Sequence, residues 1–257
     1  MTRIRALGPV SEQRAKQLVR RTVGEVYVGK RLKLRWLAPA LARLDLRPTR
    51  ILDAGSEDAT FTYWLADRHP AAQVVAVDLD AAAVEACRAA RPARYAHRVE
   101  FVVGALADLP PSSFDLATAF DVLEHIDDDV GALRTLHAAL APGGTLLVHV
   151  PANPYTDRKG TRHWVPDEEA WRINAGHVRH GYRPEDLRQR VETAGFEVVE
   201  VERWNRHWST WAHQAYARLE RPAWLRLASV PVTDVLAVLD RRRPPTEGNT
   251  VWLVARR

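Results

Sequence analysis

ILDAGSEDATF, residues 51–61, is an apolar run that closes on Asp53, breaks at Gly55 and resumes with helix-forming residues. It reads as strand, turn and helix. Gly55 permits a tight turn with close backbone approach. Ser56 or Asp58 is positioned to cap the helix that follows, whose free N–H groups suit an anionic ligand. Outward from this unit, short apolar runs alternate with helical stretches. The predicted strands are RILDA (50–54), QVVAVD (73–78), VEFVV (99–103), DLATAF (115–120), GTLLVHV (144–150), FEVVEVERW (196–204) and TVWLVARR (250–257). Helices are predicted near 58–68, 80–92, 127–141 and 184–195, the third ended by Pro142-Gly143-Gly144. Strands joined through helices of this length imply right-handed crossovers and a parallel sheet covered on both faces. The last strand suits an antiparallel return beside the sixth. The expected class is therefore α/β: a doubly wound, seven-stranded, mostly parallel sheet with helical cap elements.

Several regions lie outside the repeat. SEQRAKQLVRRTV (11–23) has amphipathic helical spacing with Ser11 as its N-cap, and a second helix over 30–44 carries Leu32, Trp36, Leu37 and Leu41. Arg47-Pro48-Thr49 ends it. The expected division is an N-terminal basic helical cap over 1–48 and the sheet domain over 49–257, with acceptor-side insertions at 151–183 and 205–249. Both insertions emerge near the carboxyl end of the sheet, where doubly wound folds bind ligands. Trp164, Trp171, Trp204, Trp208 and Trp211 fall in or beside them. They either wall a pocket or form the core of a small cap.

A chain of 257 residues, 46% hydrophobic and 27% charged, is ordinary for a globular protein. Its one cysteine, Cys87, excludes an intrachain disulfide and fits a reducing compartment, and its helical setting points to a buried side chain. MTRIRALGPV has no apolar leader region and no later run spans a membrane, so a cytoplasmic location is expected. Residues 1–50 carry 13 Lys and Arg against 3 Asp and Glu, whereas the other 207 carry 24 against 29. The basic character thus sits in the first two helices. No aromatic-flanked recognition motif accompanies it, so a solvated basic face is expected and nucleic acid is an unlikely partner.

Asp78 ends the second strand in VVAVDLD, where a carboxylate can accept both hydroxyls of a ribose. Together, LDAGSEDA, VDLD, FDLATAFDVLEHI and LHAALAPGGTLLVHVP resemble the motifs of class I S-adenosylmethionine-dependent methyltransferases over residues 49–203. DVLEHI (121–126) with APGG, and GHVRHGYRPEDLRQRVETAGFEVVEVE (176–202), resemble the ubiquinone-biosynthesis-like, type 11 branch. The resemblance implies a Rossmann-like methyltransferase fold and S-adenosyl-L-methionine as cofactor. It implies that Asp53 and Gly55 hold the methionine end, with Ala54, Ser56 and Glu57 in the same turn. Asp78 would bind the ribose and Leu79 would pack on the adenine. Backbone groups of Ala105 and Leu106 would meet the adenine edge, and Phe120 and Asp121 would line the reacting methyl, with His125 beyond. The chain departs from the family where Glu57 and Ala59 replace glycines and Ala105 replaces an acid.

Methyl transfer is an in-line displacement for which the protein supplies alignment, and an alcohol acceptor must also lose a proton. His177, His180 and His163 are the candidate catalytic residues, each with an alternative structural role. No HxH or HxxxH pattern and no cysteine cluster is present, so no metal ligand is assigned and no protein-bound zinc is expected. The expected function is methylation, on oxygen, of a small-molecule, glycan or natural-product acceptor. The alternatives are a cofactor-binding homologue that does not methylate, and a nucleic-acid methyltransferase. Oligomeric state is not legible.

Overall fold

A computed structural model describes residues 8–23, 25, 27–157, 159–169, 176–205, 207–218, 223–240 and 247–257. Its centre is a sheet of seven strands: β1 (Arg50–Ala54), β2 (Gln73–Asp78), β3 (Val99–Val103), β4 (Phe114–Phe120), β5 (Leu140–Pro151), β8 (Glu197–Trp204) and β9 (Thr250–Arg256). A two-stranded hairpin, β6 (Tyr155–Thr156) and β7 (Arg162–His163), stands apart. The sheet order is β3-β2-β1-β4-β5-β9-β8. The first five strands pair in parallel, and β9 runs antiparallel between β5 and β8. This is the doubly wound, mostly parallel sheet expected. The order reverses between β1 and β4, and the carboxyl ends of those strands flank the crevice where such sheets bind ligands.

The helices are α1 (Pro9–Val23), α2 (Val28–Leu44), α3 (Thr60–Arg68), α4 (Ala81–Ala90), α5 (Asp129–Ala139), α6 (Pro184–Thr193), α7 (His207–Arg218) and α8 (Ala223–Asp240). Three local details differ from expectation. Ser11 is not a cap, because α1 begins at Pro9. Neither Ser56 nor Asp58 occupies the N-cap of α3; Ala59 does, and Asp58 instead accepts hydrogen bonds from the Thr60 amide and hydroxyl at 3.2 and 2.5 Å. The helix before β5 stops at Ala139, because Leu140 already pairs with Phe114 across the sheet.

Two apolar layers sandwich the sheet. One face packs Ile51, Phe101, Leu116 and Leu147 against α2, α3 and α4; the other packs Leu52, Leu146, Val148 and Leu253 against α5 and α6. The second insertion is largely helical: α7 and α8 pack on each other and on α2. The tryptophans divide between core and surface. Trp204 stacks on Trp252 at 4.4 Å and on Trp36 at 5.6 Å, deep in the core. Trp164, Trp208 and Trp211 are exposed, and Trp171 lies outside the described residues.

The basic helices are not a bare cationic face. On α2, Lys30 meets Glu57 and Asp58, both at 2.8 Å, and Arg31 donates to Asp234 of α8 at 2.8 Å. Arg35 also pairs with Asp234, Arg43 with Glu200 and Lys33 with Asp121. The positive charge of α2 is therefore spent on acids of the sheet domain and α8. Arg35 and Arg43 keep about half of their side-chain surface in solvent all the same, 46% and 55%.

Candidate active site

The turn after β1 is held by backbone and carboxylate bonds. The Gly55 and Ser56 amides donate to the Val77 carbonyl at 2.8 and 3.2 Å, and the Glu57 amide donates to Asp78 Oδ2 at 2.8 Å. Gly55 has φ +75°, and a Cβ there would lie 2.4 Å from Val122 Cγ2. Both the left-handed backbone and the Val122 side chain therefore require glycine. Glu57 (φ 44°) and Ala59 (φ 59°) are also left-handed, a geometry that glycine adopts without strain. Holding these two L residues in the left-handed region costs the backbone roughly 1–2 kcal/mol per residue. The Glu57 carboxylate points outward to Lys30 and is 74% exposed.

Beneath the turn lies Asp53, 2% exposed, accepting from the hydroxyls of Thr62 at 2.6 Å and Thr118 at 2.8 Å. Burial pushes its carboxyl up to about 6, against the opposing effect of the two hydroxyls. Closed off in this way, Asp53 supports the turn from below. Ala54 is buried in the strand, and the Ser56 hydroxyl is buried without a partner. Asp78 accepts the Glu57 amide on one oxygen and the Asp80 amide on the other at 3.0 Å, leaving further lone pairs on both. Leu79, next along, is 76% exposed. From β3, the Gly104 amide bonds the Asp78 carbonyl at 3.1 Å, which brings exposed Ala105 and half-buried Leu106 to the same crevice. The crevice offers an exposed apolar platform beside a carboxylate, under a tight turn. That donor set fits a nucleoside with a charged tail.

At β4 a second cluster begins. Phe120 is buried and meets Phe61 edge to face at 5.4 Å. Asp121 adopts φ 56° and donates its amide to the His149 carbonyl at 2.8 Å. Its Oδ1 accepts from His149 Nδ1 at 2.9 Å, and its Oδ2 pairs with Lys33 of α2. Partial burial raises the Asp121 carboxyl, but Lys33 and the His149 hydrogen bond more than offset this and hold it below the usual carboxylate range. The Asp121 side chain is still 44% exposed, whereas Lys33 and His149 are buried behind it. Burial, then the Lys33 charge, lower His149 and keep the ring neutral.

The histidines predicted for catalysis separate. His177 lies beside His125, ring centroids 4.6 Å apart, and burial followed by the His125 charge lowers it. Its Nδ1 is buried without a partner. His125 bonds through Nδ1 to the Gly176 carbonyl at 2.9 Å. Next to it Glu124 is 0% exposed, and ligand atoms of Glu124, His125 and His177 lie within 4.8 Å of one another. His180 is buried against Tyr155. His163 stacks on Tyr155 and bonds Asp157 at 3.1 Å in the β6–β7 hairpin. The Asp121 charge acts on His177, which lies on that side of the crevice; His180, near enough for its charge to act on His177, and His163 both pack on Tyr155.

Arg179 fixes this arrangement. Its guanidinium donates to the carbonyls of Leu123, Ile126 and Asp127 at 2.9, 2.7 and 3.0 Å, and to the Tyr182 hydroxyl at 3.0 Å. The loop after β4 is thereby tied to the segment bearing His177. Lys33, His149, Glu124 and Arg179 are the residues that sequence reading missed. The one signal available was the ionisable His149 inside the otherwise apolar strand LLVHV.

A doubly wound sheet with a ribose-competent acid after β2 and a glycine turn after β1 defines a nucleotide-type binding fold. The methyltransferase-domain family matches residues 27–201, more than half of the chain, and the chain belongs to that family, the class I methyltransferases, whose cofactor is S-adenosylmethionine. It is 32% identical over 137 residues to a trans-aconitate 2-methyltransferase of Paracidovorax citrulli, covering 53% of this chain and 52% of that protein. It is 33% identical over 110 residues to a ubiquinone biosynthesis O-methyltransferase of Xanthomonas campestris pv. campestris, covering 42% and 45%. The chain thus spans about half the length of the curated relatives it matches. An S-adenosylmethionine-dependent methyltransferase of Mesorhizobium loti superposes with TM-score 0.58 at 24% identity, over 85% of this chain and 96% of that one, which is a likeness of fold. Among the described residues, no helix is long and apolar enough to cross a membrane.

Proposed function

We propose that the protein methylates an oxygen of a small-molecule acceptor, a class that includes glycans and natural-product intermediates. The observation that carries this reading is the Lys33–Asp121–His149 linkage next to neutral His177, immediately beyond the Gly55 turn. S-adenosylmethionine, when bound, supplies an electrophilic methyl carbon on a sulfonium. Asp78 holds the ribose hydroxyls, Leu79 covers the adenine, and Ala105 and Leu106 offer backbone groups to its edge. The Gly55 turn receives the methionine end. Asp121, kept ionised and aimed by Lys33 and His149, presents negative charge beside the reacting centre. His177, kept neutral, has an imidazole lone pair for the acceptor's hydroxyl, so proton loss and alignment come from adjacent groups. The ubiquinone-biosynthesis relative, named for O-methylation, supports oxygen as the target atom.

Two observations argue against the alternatives. The turn accommodates Glu57 and Ala59 with left-handed backbone, which supports a competent cofactor turn and leaves Ala105 as the remaining departure that favours a homologue that does not methylate. The pairing of the α2 cations with acids of this chain counts against nucleic acid as the acceptor. The test uses S-adenosylmethionine carrying a labelled methyl group and a panel of phenols, hydroxy acids and sugars, following labelled product and S-adenosylhomocysteine. Transfer to a hydroxyl is expected. Transfer confined to amines, or cofactor binding without transfer to any acceptor class, overturns the reading.

A further inference from the structure

The outer face of α8 is apolar. Among the described side chains of this helix every exposed one is apolar: Pro231, Val232, Val235, Val238 and Leu239. Val232 and Val235 keep more than half of their surface in solvent, 53% and 59%. Val235 stands three residues after Val232, and Val238 and Leu239 three and four residues after Val235, so the set falls on one side of the helix. Leu225 and Ala228 stand seven and four residues before Val232, in the same helical register. Single exposed apolar residues are ordinary, but a continuous stripe along a helix marks an interaction surface. The two carboxylates of α8 lie on its inner side. Asp234 pairs with Arg31 and Arg35 of α2, and buried Asp240 accepts the Trp208 and Ser209 amides at 2.8 and 2.7 Å.

Indoles and charge extend this surface. Exposed Trp208 and Trp211 lie one turn apart on α7, and the Asp240 cap places the Trp208 backbone at the carboxyl end of α8, where exposed Leu239 lies. Residues 206–244 carry seven arginines against three acids, and two of those acids are the inward Asp234 and Asp240. In sequence, Arg218 and Arg221 precede α8, and Arg241, Arg242 and Arg243 follow it directly. An apolar helix face without acids, bordered by arginine and tryptophan, is the pattern of a helix that lies in a lipid interface. A second copy of this chain fits the pattern less well. In a two-fold pair the basic flanks of one helix would meet those of the other, so the charge that favours an anionic surface opposes self-association.

We infer that the outer face of α8, with the indoles of α7, docks the protein on an anionic membrane surface. The valines and Leu239 enter the boundary between headgroups and acyl chains, the indoles sit at headgroup depth, and the flanking arginines supply attraction to lipid phosphates. The helix lies along the surface, since among the described residues no helix is long and apolar enough to cross a membrane. The pairs of Asp234 with Arg31 and Arg35 fasten α8 to α2, the helix that also carries Lys33. Docking through α8 therefore sets the orientation of the acceptor side of the crevice towards the lipid. The inference concerns binding alone and does not rest on methyl transfer.

The test is flotation of the full-length protein with vesicles of phosphatidylcholine containing about 30% phosphatidylglycerol, and with phosphatidylcholine alone. Binding to the anionic vesicles is expected, about tenfold or more stronger than to the neutral ones, and weaker as salt rises. Val232→Glu and Val235→Glu should each lower partitioning about tenfold or more, with little change in thermal midpoint because both positions are exposed. Val235→Leu should keep or strengthen binding. Replacing Arg241, Arg242 and Arg243 together by Gln should weaken binding to the anionic vesicles at least about tenfold. No binding by the wild type to the anionic vesicles, or binding unchanged in both glutamate variants, overturns the inference. So does a dimer in light scattering that Val235→Glu dissociates while the wild type ignores vesicles, which gives the stripe to a second copy. Vesicle binding is read without cofactor or acceptor, so its failure leaves the proposed function standing.

Discussion

The two sides of the crevice are built differently. The cofactor side, from β1 to β3, is local: the Gly55 and Gly104 amides donate to carbonyls of the adjacent parallel strand, and the Glu57 amide to the Asp78 carboxylate. The acceptor side, around β4 and β5, is assembled from distant pieces. Lys33 comes from α2, His149 from β5 and His177 from the segment before α6, and they meet around the loop after β4. The first side is dictated by strand pairing, and its turn holds two L residues, Glu57 and Ala59, in the left-handed region. The second depends on side-chain charge and on the clamp by Arg179. It follows that changes on the cofactor side should register as altered stability and affinity, and changes on the acceptor side as altered turnover.

The largest expected effect tests whether the cofactor side is supported from beneath. Asp53 is pushed up to about 6 by burial, above the ordinary carboxyl near 3.9 of an unfolded chain. Its ionised form is disfavoured on folding. Its contribution is therefore fully present when the group is protonated, below about pH 4, and is lost as pH rises towards 6, by up to about 3 kcal/mol. Buried histidines such as His149 are lowered and carry the opposite slope over much of this window. The measurement is accordingly a difference: denaturant unfolding of wild type and Asp53→Asn between pH 4.5 and 7. The gap between them should change in favour of the variant as pH rises. A gap independent of pH would mean that Asp53 is solvated and free to reach the ligand.

On the acceptor side, His177→Ala should lower turnover by about 10²-fold with little change in cofactor affinity. His163→Ala should have far less effect, since its ring is engaged by Asp157 and Tyr155. Equal losses in both variants would erase the distinction drawn among the three histidines.

The same contrast governs what was legible in the sequence. Strands β1, β2 and β3 are bounded as their apolar runs and turns predict, and the return of β9 beside β8 follows from its length and place. Local pairing leaves local traces. Lys33 left none, because a basic residue on an amphipathic helix looks solvated until the acid opposite is known. His149 sits in a strand whose pattern speaks only of burial. Glu124 belongs to the LEH run, but the nearness of His177 depends on how the chain returns after β5, which no short spacing encodes.

Asp78→Ala returns to the cofactor side with a smaller effect. The carboxylate accepts two amides within the loop, and its remaining lone pairs are those the proposed function assigns to the ribose. Its loss should weaken S-adenosylhomocysteine about tenfold or more, or roughly 1.5–2 kcal/mol, as charge-assisted bonds disappear. Unchanged affinity in calorimetry would detach the acid of β2 from cofactor recognition.

Glu57 gives the smallest and most discriminating effect. Its φ of 44° places an L side chain in the left-handed region, and its carboxylate is largely in water, paired with Lys30. Glycine at this position relieves the backbone by roughly 1 kcal/mol or slightly more, against a few tenths for greater freedom of the unfolded chain. The exposed ion pair is worth little, and Lys30 keeps Asp58 at 2.8 Å. Glu57→Gly should therefore stabilise the fold by about 0.5–1 kcal/mol in denaturant unfolding. Because the carboxylate turns away to Lys30, S-adenosylmethionine and S-adenosylhomocysteine should tighten about equally, by ~1 kcal/mol or less. The two ligands differ in the charge on sulfur, so a carboxylate aimed at that atom would favour the sulfonium. Selective weakening of S-adenosylmethionine in Glu57→Gly would place Glu57 at the methyl donor, and the line between a backbone-built cofactor side and a charge-built acceptor side would have to be redrawn.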